Sequence, residues 1–331
     1  MNRFNIFFSL FYLLIFVSQP VSANFEQRPE VTKFIDEMVA EHNFDAHSLS
    51  ESFSRVKLSK SIVEAISRPA EAKPWYKYRP IFLTKDRIKL GVKFLHDNKK
   101  TLLRAEQVYG VPAEIITAII GVETRYGKHA GRYKDINSLS TLAFNYPKRS
   151  KFFRSELKRF FLLAREQKME PHAVMGSYAG AMGIPQFISS SYRNYAIDFD
   201  GDDFIDIWSN PVDAIGSVGN YFKVHGWQAG KVVTVRAIVE NDKYLAALSK
   251  GLEPDLAVSE LENYGITAKQ SLPNDVKIKL LEYEQKDESE FWLGFDNFYV
   301  ITRYNHSALY AMAVYQLAEE IRILYEAKRK D

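Results

Sequence analysis

Apolar residues recur at helical spacing through most of this 331-residue chain, and that spacing limits its fold more than any other feature. In the segment 31–39, apolar side chains fall at i, i+3, i+4, i+7 and i+8, which places them on one face of a helix. Similar segments follow from residue 24 to about residue 228, and the pattern returns over residues 307–328. Because such faces are buried against one another, we expect a mainly α-helical body.

Residues 228–300 have a different pattern. They contain short β-branched or aromatic runs separated by Asn, Asp, Gly and Pro, at residues 232–238, 276–280, 291–292 and 298–300. Runs of this kind are typical of a small antiparallel sheet. The sequence therefore predicts a mainly α chain of the α+β class, with a small antiparallel β-rich insertion near its C-terminal end.

Prolines and a capping residue indicate where individual helices begin and end. The segment 73–80 contains Pro74 and Pro80 among aromatic residues, which predicts a connector in place of a helix. Thr84 can cap the first turn of a helix that we expect to continue to about Gln107.

The first 23 residues have the pattern of a secretory signal peptide. Arg3 precedes an apolar run over residues 4–17, and Val21-Ser22-Ala23 supplies small residues before a cleavage site. An uncleaved membrane anchor is the alternative, but the run is shorter than the roughly 20 apolar residues of a spanning helix. No other uncharged apolar run of that length follows in the sequence, so we expect an exported protein without a membrane span after signal removal.

Charge and cysteine content argue against several classes of function. The 44 Lys and Arg residues nearly balance the 41 Asp and Glu residues, which argues against nucleic-acid binding through phosphate neutralisation. The sequence has no cysteine, so disulfides, thiolate metal sites, cysteine nucleophiles and a lipid attached through an N-terminal cysteine are excluded.

Glu123 is the strongest catalytic candidate because it continues an apolar stripe. In a helix that begins near Pro112, Ile115 and Ile119 lead to Glu123 by steps of four residues. Gly127 can end this helix one turn later, which would place the carboxyl near an end that opens on a cleft. Burial disfavours the charged form of a carboxyl, so this glutamate should tend to stay protonated, as a general acid must.

A structural role for Glu123 is the alternative. Buried carboxylates are usually paired, and Arg125, Arg132 and Arg149 follow in the sequence. Periodicity alone leaves both interpretations open.

An acidic loop has the ligand spacing of an EF-hand. Asp198, Asp200, Asp202 and Asp206 occupy positions 1, 3, 5 and 9 of the loop, and the backbone carbonyl of Phe204 occupies position 7. Oxygen ligands at this spacing suit Ca²⁺.

Two positions of this loop depart from the EF-hand pattern. Position 6, normally Gly, is Asp203, and position 12, normally Glu, is Ser209. Aspartate tolerates a left-handed backbone better than most residues do. A solvated acidic turn is the alternative, but four acids at this spacing would repel one another without a cation. We therefore predict a structural calcium site.

Five blocks of sequence resemble, in their order, those of the lytic murein transglycosylase B family. The blocks are GVETRYG, TLAFNYP, GSYAGAMGIPQF, DAIGSV and ITRYNHS, at residues 121–127, 141–147, 176–187, 213–218 and 301–307. A single short motif would be weak, whereas five in order identify the chain as similar to this family.

The resemblance implies a lysozyme-like helical catalytic core and cleavage of the β-1,4 bond between N-acetylmuramic acid and N-acetylglucosamine in peptidoglycan. It implies that the muramic acid C6 hydroxyl replaces water and leaves a 1,6-anhydro end, with Glu123 as the single acid and base and the substrate's N-acetyl group assisting. No organic cofactor is implied. A hydrolytic muramidase on the same scaffold and a non-catalytic, calcium-containing glycan-binding module are the alternatives.

The resemblance also assigns residues around the glutamate. Substrate contacts are implied for Ser177, Gln186, Tyr304, Asn305, Tyr310, Tyr78, Tyr221, Lys148 and Arg149. Positive charge at the basic pair Lys148-Arg149 suits the carboxylates of the peptide stem. In the calcium loop the family has a later aspartate, for which Asp213 is the candidate. For each tyrosine, core packing is the alternative.

These inferences divide the chain into five parts and give it a location. The parts are a signal peptide at 1–23, an N-terminal helical region at 24–98, a lysozyme-like catalytic core at 99–227 with an EF-hand-like loop at 198–213, the β-rich insertion at 228–300 and a C-terminal helical segment at 301–331. The resemblance implies a soluble periplasmic protein whose partners are peptidoglycan glycan strands and other cell-wall enzymes.

Overall fold

A computed structural model describes residues 24–67 and 73–330. The predicted signal peptide, residues 1–23, lies outside the described residues. The described residues form two compact units, which divide between Arg55 and Val56. The division expected at residues 98, 227 and 300 stays a prediction. No helix of the described part of the chain is long and apolar enough to cross a membrane.

Helices dominate the structure, as the apolar spacing predicts. The α-helices of the described residues are α1 (Pro29–His42), α2 (Ala46–Ser54), α3 (Lys60–Ile66), α4 (Trp75–Phe82), α5 (Lys85–Asp97), α6 (Lys99–Tyr109), α7 (Ala113–Thr124), α8 (Asp135–Asn145), α9 (Ser150–Glu166), α10 (Ser189–Tyr195), α11 (Pro211–Val224), α12 (Asp296–Tyr304) and α13 (Ala308–Lys330). The strands are β1 (Tyr133–Lys134), β2 (Met175–Gly176), β3 (Thr234–Val239), β4 (Leu256–Ala257), β5 (Ile266–Ala268), β6 (Lys277–Glu284) and β7 (Ser289–Gly294).

The smaller unit contains two amphipathic helices. Helix α1 buries the face predicted from the spacing, including Phe34 and Met38. The ring of Phe53 on α2 meets that of Phe34 edge-on, with 5.7 Å between the centroids. Asn43, at φ 54°, ends α1 in the left-handed conformation that asparagine adopts more readily than most residues.

Helix α7 is the most apolar element of the larger unit and is buried on nearly all sides. Ten of its twelve residues are buried, and it packs against α5, α6, α11 and α13. The two exceptions are glutamates, Glu114 in the first turn and Glu123 at the other end. A negative charge in the first turn suits the helix dipole, which explains Glu114 but not Glu123.

The predicted β-rich insertion is a five-stranded antiparallel sheet in the order β4-β6-β7-β3-β5. Strands β6 and β7 form its longest pairing, from Lys279 opposite Gly294 to Glu284 opposite Ser289. The sheet has an apolar cluster of its own, which includes Val235, Ile266, Ile278, Leu280 and Leu293.

The prediction of a connector at residues 73–80 is wrong, because these residues contribute most of α4. Pro80 lies inside the helix and removes one backbone hydrogen bond. Tertiary contacts outweigh that loss, since Trp75 and Tyr78 are each only 1% exposed. The indole nitrogen of Trp75 also donates to Glu290 Oε1 on β7 at 3.0 Å, which joins the helix to the sheet.

Two other sequence predictions are also wrong in part. Thr84 caps α5 as expected, but the helix ends at Asp97, and a second helix, α6, starts at Lys99. At the junction, the backbone and the side chain of Asn98 both donate to the Phe94 carbonyl. Residues 298–300 lie in helix α12 and not in a strand. There Phe298, Val300 and Ile301 are all buried in the core cluster of the larger unit, so packing outweighs the β-branched composition.

The chain reverses sharply after α7 and brings a tyrosine back onto the helix. Arg125 and Tyr126 have φ angles of 50° and 64°, both left-handed. A Cβ at Gly121 of α7 would lie 2.6 Å from Tyr126 Cζ, and a Cβ at Gly91 of α5 would lie 2.5 Å from the Tyr126 hydroxyl. The ring therefore fits only because both helices carry glycine at the contact.

We predict that Gly121→Ala lowers the free energy of unfolding by about 2 kcal/mol, because the added methyl group overlaps the Tyr126 ring and overpacks the core. Urea denaturation followed by circular dichroism measures the change. In a Tyr126→Ala background the same substitution should be neutral or stabilising, since alanine is the better helix former. An equal loss in both backgrounds would show that the ring contact is not the cause.

Candidate functional site

The carboxyl group of Glu123 lies at the C-terminal end of α7, where the side chain is only partly exposed. The Tyr310 hydroxyl donates a hydrogen bond to Glu123 Oε1 at 2.6 Å. Burial raises the pKa of Glu123 to about 7, although the Tyr310 hydrogen bond lowers it. A carboxyl with a pKa near neutrality can both donate and accept a proton at physiological pH.

If Glu123 had only a structural role, its carboxylate would be expected to pair with a nearby arginine. Glu123 forms no ion pair with any of the described residues, and Arg125 instead binds Asp86. Arg132 lies over the Tyr133 ring, with the guanidinium carbon 5.8 Å from the ring centroid. The carboxyl of Glu123 is therefore held by a neutral hydroxyl and not by a cation.

Two tyrosines from the C-terminal helices stand beside this carboxyl. Tyr310 lies in the first turn of α13, where the Ser307 hydroxyl accepts from its backbone N–H at 3.3 Å. Tyr304 ends α12, and its ring is parallel to that of Tyr310 with 6.5 Å between the centroids. Burial, and then the Glu123 carboxylate, raise the pKa of both tyrosines well above the usual value of 10. Both hydroxyls therefore remain protonated and act as donors.

The Tyr304 hydroxyl donates to the Pro185 carbonyl at 2.6 Å, so α12 is joined to the loop at residues 176–187. Tyr221 of α11 packs against the Tyr304 ring at 4.8 Å and donates to the Arg303 carbonyl at 2.6 Å. Tyr78 of α4 is buried, and its proximity contributes to the raised pKa of Tyr310. Of the four predicted tyrosines, Tyr310 binds the Glu123 carboxyl and Tyr304 lies near it. Tyr221 contacts the Tyr304 ring, and Tyr78 lies near Tyr310. The hydroxyls of Tyr304 and Tyr221 donate to backbone carbonyls.

The loop at residues 176–187 contains two predicted contact residues. The Ser177 hydroxyl oxygen accepts from two backbone N–H groups of this loop, at 3.1 and 3.2 Å, which leaves its proton free for donation. The side-chain nitrogen of Gln186 donates to the carbonyls of Ala130 and Gly183 at 3.1 and 2.9 Å. Gln186 therefore holds two loops together, and its side-chain oxygen is the atom left for a ligand.

Three further predicted residues are exposed. Asn305 lies in the link between α12 and α13. Lys148 and Arg149 lie in a short 3-10 turn between α8 and α9, and the Arg149 guanidinium carbon is 4.3 Å from the centroid of the Phe152 ring. Within the described residues, neither cation contacts Glu123 or the two tyrosines beside it.

Thr124 is a supporting residue that the sequence interpretation missed. It is fully buried, and its hydroxyl donates to the Ile184 carbonyl at 2.9 Å and accepts from the Gly127 N–H at 2.9 Å. It thereby fixes the end of α7 against the loop at residues 176–187. Ile184 lies 60 residues further along the chain, so no local sequence signal could have revealed the contact.

The acidic loop brings three of its predicted ligands together. Carboxylate oxygens of Asp198, Asp200 and Asp202 lie within 4.8 Å of one another. Asp203 has a φ of 68°, so it adopts the left-handed backbone expected at position 6. Asp198 also accepts from the N–H groups of Gly201 and Asp203 at 2.6 and 2.8 Å. Three clustered carboxylates are a suitable donor set for Ca²⁺.

The other two predicted aspartates hold the loop backbone. Asp206 accepts from the N–H groups of Trp208 and Ser209 at 2.8 and 2.9 Å. Asp213 is fully buried, and its two oxygens accept from the N–H groups of Phe199 and Asp206, both at 2.8 Å. These hydrogen bonds to Asp206 and Asp213 fix the backbone conformation of the loop.

The acidic loop is also connected to the site around Glu123. The Ile184 N–H donates to the carbonyl of Ile207, which lies within the loop at residues 198–213, at 2.8 Å. Ile184 is the residue whose carbonyl binds Thr124, so two hydrogen bonds separate the acidic loop from the end of α7.

Comparisons with known proteins all find similarity to transglycosylases. A family model described as the transglycosylase SLT domain matches residues 26–319. The membrane-bound lytic murein transglycosylase B of Escherichia coli (strain K12) is 42% identical over 313 residues, which are 92% of this chain and 85% of that protein.

Solved structures give the same result. The catenated lytic transglycosylase SltB1 from Pseudomonas aeruginosa superposes with a TM-score of 0.86 at 49% identity, covering 90% of this chain and 98% of that one. The Escherichia coli lytic transglycosylase Slt35 in complex with calcium has a TM-score of 0.84 at 43% identity, covering 91% and 95%. SltB3 from Pseudomonas aeruginosa in complex with NAG-anhNAM-pentapeptide has a TM-score of 0.76 at 30% identity, covering 88% and 79%.

We predict that Glu123→Gln stabilises the protein at alkaline pH. The folded-state pKa of about 7 lies above the value of 4.5 for an unperturbed glutamate, so wild-type stability falls as the pH rises through that interval. The variant should therefore gain about 3 kcal/mol relative to wild type between about pH 4 and pH 8, since one pKa unit corresponds to about 1.4 kcal/mol. Urea denaturation at both pH values measures the gain.

Tyr310→Phe is the matched control for this experiment. It keeps the carboxyl but removes the hydrogen bond that lowers its pKa, so the loss of stability at high pH should exceed that of wild type. A pH-independent difference between Glu123→Gln and wild type would contradict the burial of an ionisable carboxyl.

Proposed function

The chain belongs to the transglycosylase SLT domain family and is a lytic murein transglycosylase, an enzyme that cleaves peptidoglycan, and we propose that it does so with Glu123 as its single acid and base. Its mainly helical fold with a small antiparallel sheet is the lysozyme-like fold of the related transglycosylases. One observation carries the proposal: a partly buried carboxyl with a pKa near 7 receives a hydrogen bond from Tyr310 on one oxygen.

The first chemical step is cleavage of the β-1,4 bond that follows N-acetylmuramic acid. Protonated Glu123 donates its proton to the glycosidic oxygen, and the bond from that oxygen to the anomeric carbon breaks. The carbonyl oxygen of the sugar's own N-acetyl group stabilises the positive anomeric carbon.

The second step closes the 1,6-anhydro ring. The Glu123 carboxylate takes the proton of the muramic acid C6 hydroxyl, and the C6 oxygen bonds to the anomeric carbon. Glu123 returns to its protonated form, and no water is consumed.

The surroundings of Glu123 support a mechanism with one carboxylate. Glycosidases that use two carboxylates keep them about 5 to 9.5 Å apart. At Glu123, burial and Tyr310 are the influences on the pKa, and no acidic side chain of the described residues is among them. The anhydro sugar in the complex of the relative SltB3 agrees with such a product.

The remaining residues of the site have positioning and binding roles in this proposal. Tyr310 orients the carboxyl through Oε1 and leaves Oε2 for the substrate. Sugar contacts are assigned to Ser177, Gln186, Tyr304, Asn305, Tyr78 and Tyr221. Lys148 and Arg149 are assigned to the peptide stem.

We also propose a structural Ca²⁺ in the acidic loop. Its ligands would be Asp198, Asp200, Asp202, Asp206, Asp213 and the Phe204 carbonyl. The clustering of the first three carboxylates supports this assignment, as does the calcium complex of the relative Slt35. Bound Ca²⁺ would neutralise the clustered carboxylates and cross-link the loop.

We also propose a periplasmic location, because the predicted signal peptide and the peptidoglycan substrate both indicate it. Cleavage of the signal peptide after Ala23 would release the enzyme where peptidoglycan lies, and other cell-wall enzymes would be its further partners. The absence of cysteine from the sequence agrees with a form that carries no N-terminal lipid.

The reaction is tested by mass spectrometry of the fragments released from purified sacculi. We expect wild type to release muropeptides one water lighter than reducing-end products. Glu123→Gln should lower the rate by about 10³-fold, because it removes both proton transfers. Reducing ends would make the protein a hydrolytic muramidase, and glycan binding without any cleavage by wild type would make it a binding module.

The calcium site is tested by chelation of protein shown to contain the metal. Removal of the ion should lower the melting temperature by about 5 °C, because an ion bound only by the folded state stabilises it by mass action. Asp200→Asn/Asp202→Asn is the matched control and should melt at the same temperature with and without chelator. An unchanged melting temperature for wild type would contradict the site.

A further inference from the structure

Asp135, in the first turn of α8, has a buried carboxyl group that takes no part in the proposed mechanism. The residue is 0% exposed, and neither of its carboxyl oxygens has a hydrogen-bond partner among the described residues. A carboxylate in the first turn of a helix normally accepts from the free N–H groups there, and this one does not. Because an unpartnered buried carboxyl destabilises the folded state, its presence indicates a role other than stability.

The carboxyl lies against the loop at residues 176–187. A Cβ built at Gly176 would lie within 2.5 Å of both Asp135 Oδ1 and the Ala181 carbonyl oxygen, so these two oxygens are at most about 5 Å apart. The Asp135 N–H also donates to the Val174 carbonyl at 3.1 Å, just before the loop. The start of α8 is therefore attached to the loop, with the carboxyl facing it.

Ala181 in turn fixes the side chain of Ser177. The Ser177 N–H donates to the Ala181 carbonyl at 2.8 Å, and the Ala181 N–H donates to the Ser177 hydroxyl oxygen at 3.1 Å. Both polar groups of the Ala181 backbone thus bind Ser177. A displacement of the Ala181 carbonyl would therefore move the hydroxyl that is assigned to the sugar.

We propose that Asp135 is a positioning residue whose protonated carboxyl holds the Ala181 carbonyl, and through it the Ser177 hydroxyl, in the place for sugar binding. The inference rests on the proposed function, which assigns Ser177 to the substrate. A protonated carboxyl presents an O–H donor to the nearby carbonyl oxygen, whereas a carboxylate presents a negative charge and repels it. Because Asp135 is fully buried, it does not touch the substrate and acts only through the loop.

The surroundings of Asp135 favour the protonated form. The loop against it contains no charged residue, and the nearby cations Arg132 and Lys134 are exposed. On the described elements that pack against α8 and on the segment before β2, the buried acidic and basic side chains are Glu156 and His172. Neither contributes to the pKa of Asp135, which burial raises well above its usual value.

The experiment measures the binding of an uncharged oligosaccharide of N-acetylglucosamine in a Glu123→Gln background, which removes the titration of Glu123. By calorimetry at pH 6, Asp135→Ala should weaken the affinity about fivefold, the effect of one lost hydrogen bond. Asp135→Asn should bind as the parent does, because its amide N–H replaces the O–H donor.

The pH dependence of binding is a readout that a merely structural role would not change. Since the pKa of Asp135 is raised, the protonated contact is complete at low pH and is lost as the pH rises through the folded-state value. Between pH 6 and pH 10 the affinity of the parent should fall about fivefold, toward that of Asp135→Ala. Asp135→Asn, which cannot ionise, should keep its affinity throughout. This comparison stands even if Asp135→Ala does not fold.

A double variant tests whether Asp135 acts through Ser177. Ser177→Ala should weaken the affinity about fivefold, and adding Asp135→Ala should weaken it no further, because both substitutions remove the same sugar contact. With Glu123 intact, Asp135→Ala should raise KM on glycan strands and leave kcat nearly unchanged. Ser140→Ala is the matched control, because Ser140 is another buried polar residue of α8 that lies about 140° around the helix from Asp135. It should bind as the parent does at every pH.

Three results would overturn the proposal: equal weakening by Asp135→Asn and Asp135→Ala, a parent affinity that does not change with pH, or additive losses in the double variant. An unchanged affinity of Ser177→Ala would also overturn it, because there would be no sugar contact to position. Failure of wild type to cleave sacculi would instead overturn the proposed function, and the binding measurements would still decide the role of Asp135.

Discussion

Burial of one carboxyl group at the end of an otherwise apolar helix is the constraint on which the rest of the site depends. Helix α7 can be apolar on all sides only because α5, α6, α11 and α13 cover it. These helices remove the Glu123 carboxyl from water, and the pKa rises to about 7. The neutral Tyr310 hydroxyl satisfies one oxygen without forcing the group to ionise, which an arginine would have done.

Short backbone contacts keep this carboxyl in place and connect it with distant parts of the chain. Thr124 binds the Ile184 carbonyl, and Tyr304 binds the neighbouring Pro185 carbonyl. The Ile184 N–H in turn donates to the carbonyl of Ile207 in the acidic loop. A cation in that loop would therefore stabilise the site through its frame while remaining outside the chemistry.

The failures of the sequence interpretation have a common physical cause. Residues 73–80 have two prolines, yet they form α4 because burial of Trp75 and Tyr78 outweighs the lost hydrogen bond. Residues 298–300 have β-branched and aromatic side chains, yet they form part of α12, where Phe298 and Val300 pack into the larger unit's core. In both segments local composition was overruled by contacts with residues far away in sequence.

Periodicity by itself determined that α7 would form, that Glu123 would continue its apolar stripe and that a mainly helical body would carry a small sheet, because these features depend on neighbours three or four residues away. The acidic spacing likewise indicated the loop at residues 198–206. Only the tertiary structure decided what faces the carboxyl. Tyr310 is 187 residues from Glu123 and Ile184 is 60 residues from Thr124. Such contacts arise when distant segments of the chain pack together, and no spacing within a single helix encodes them.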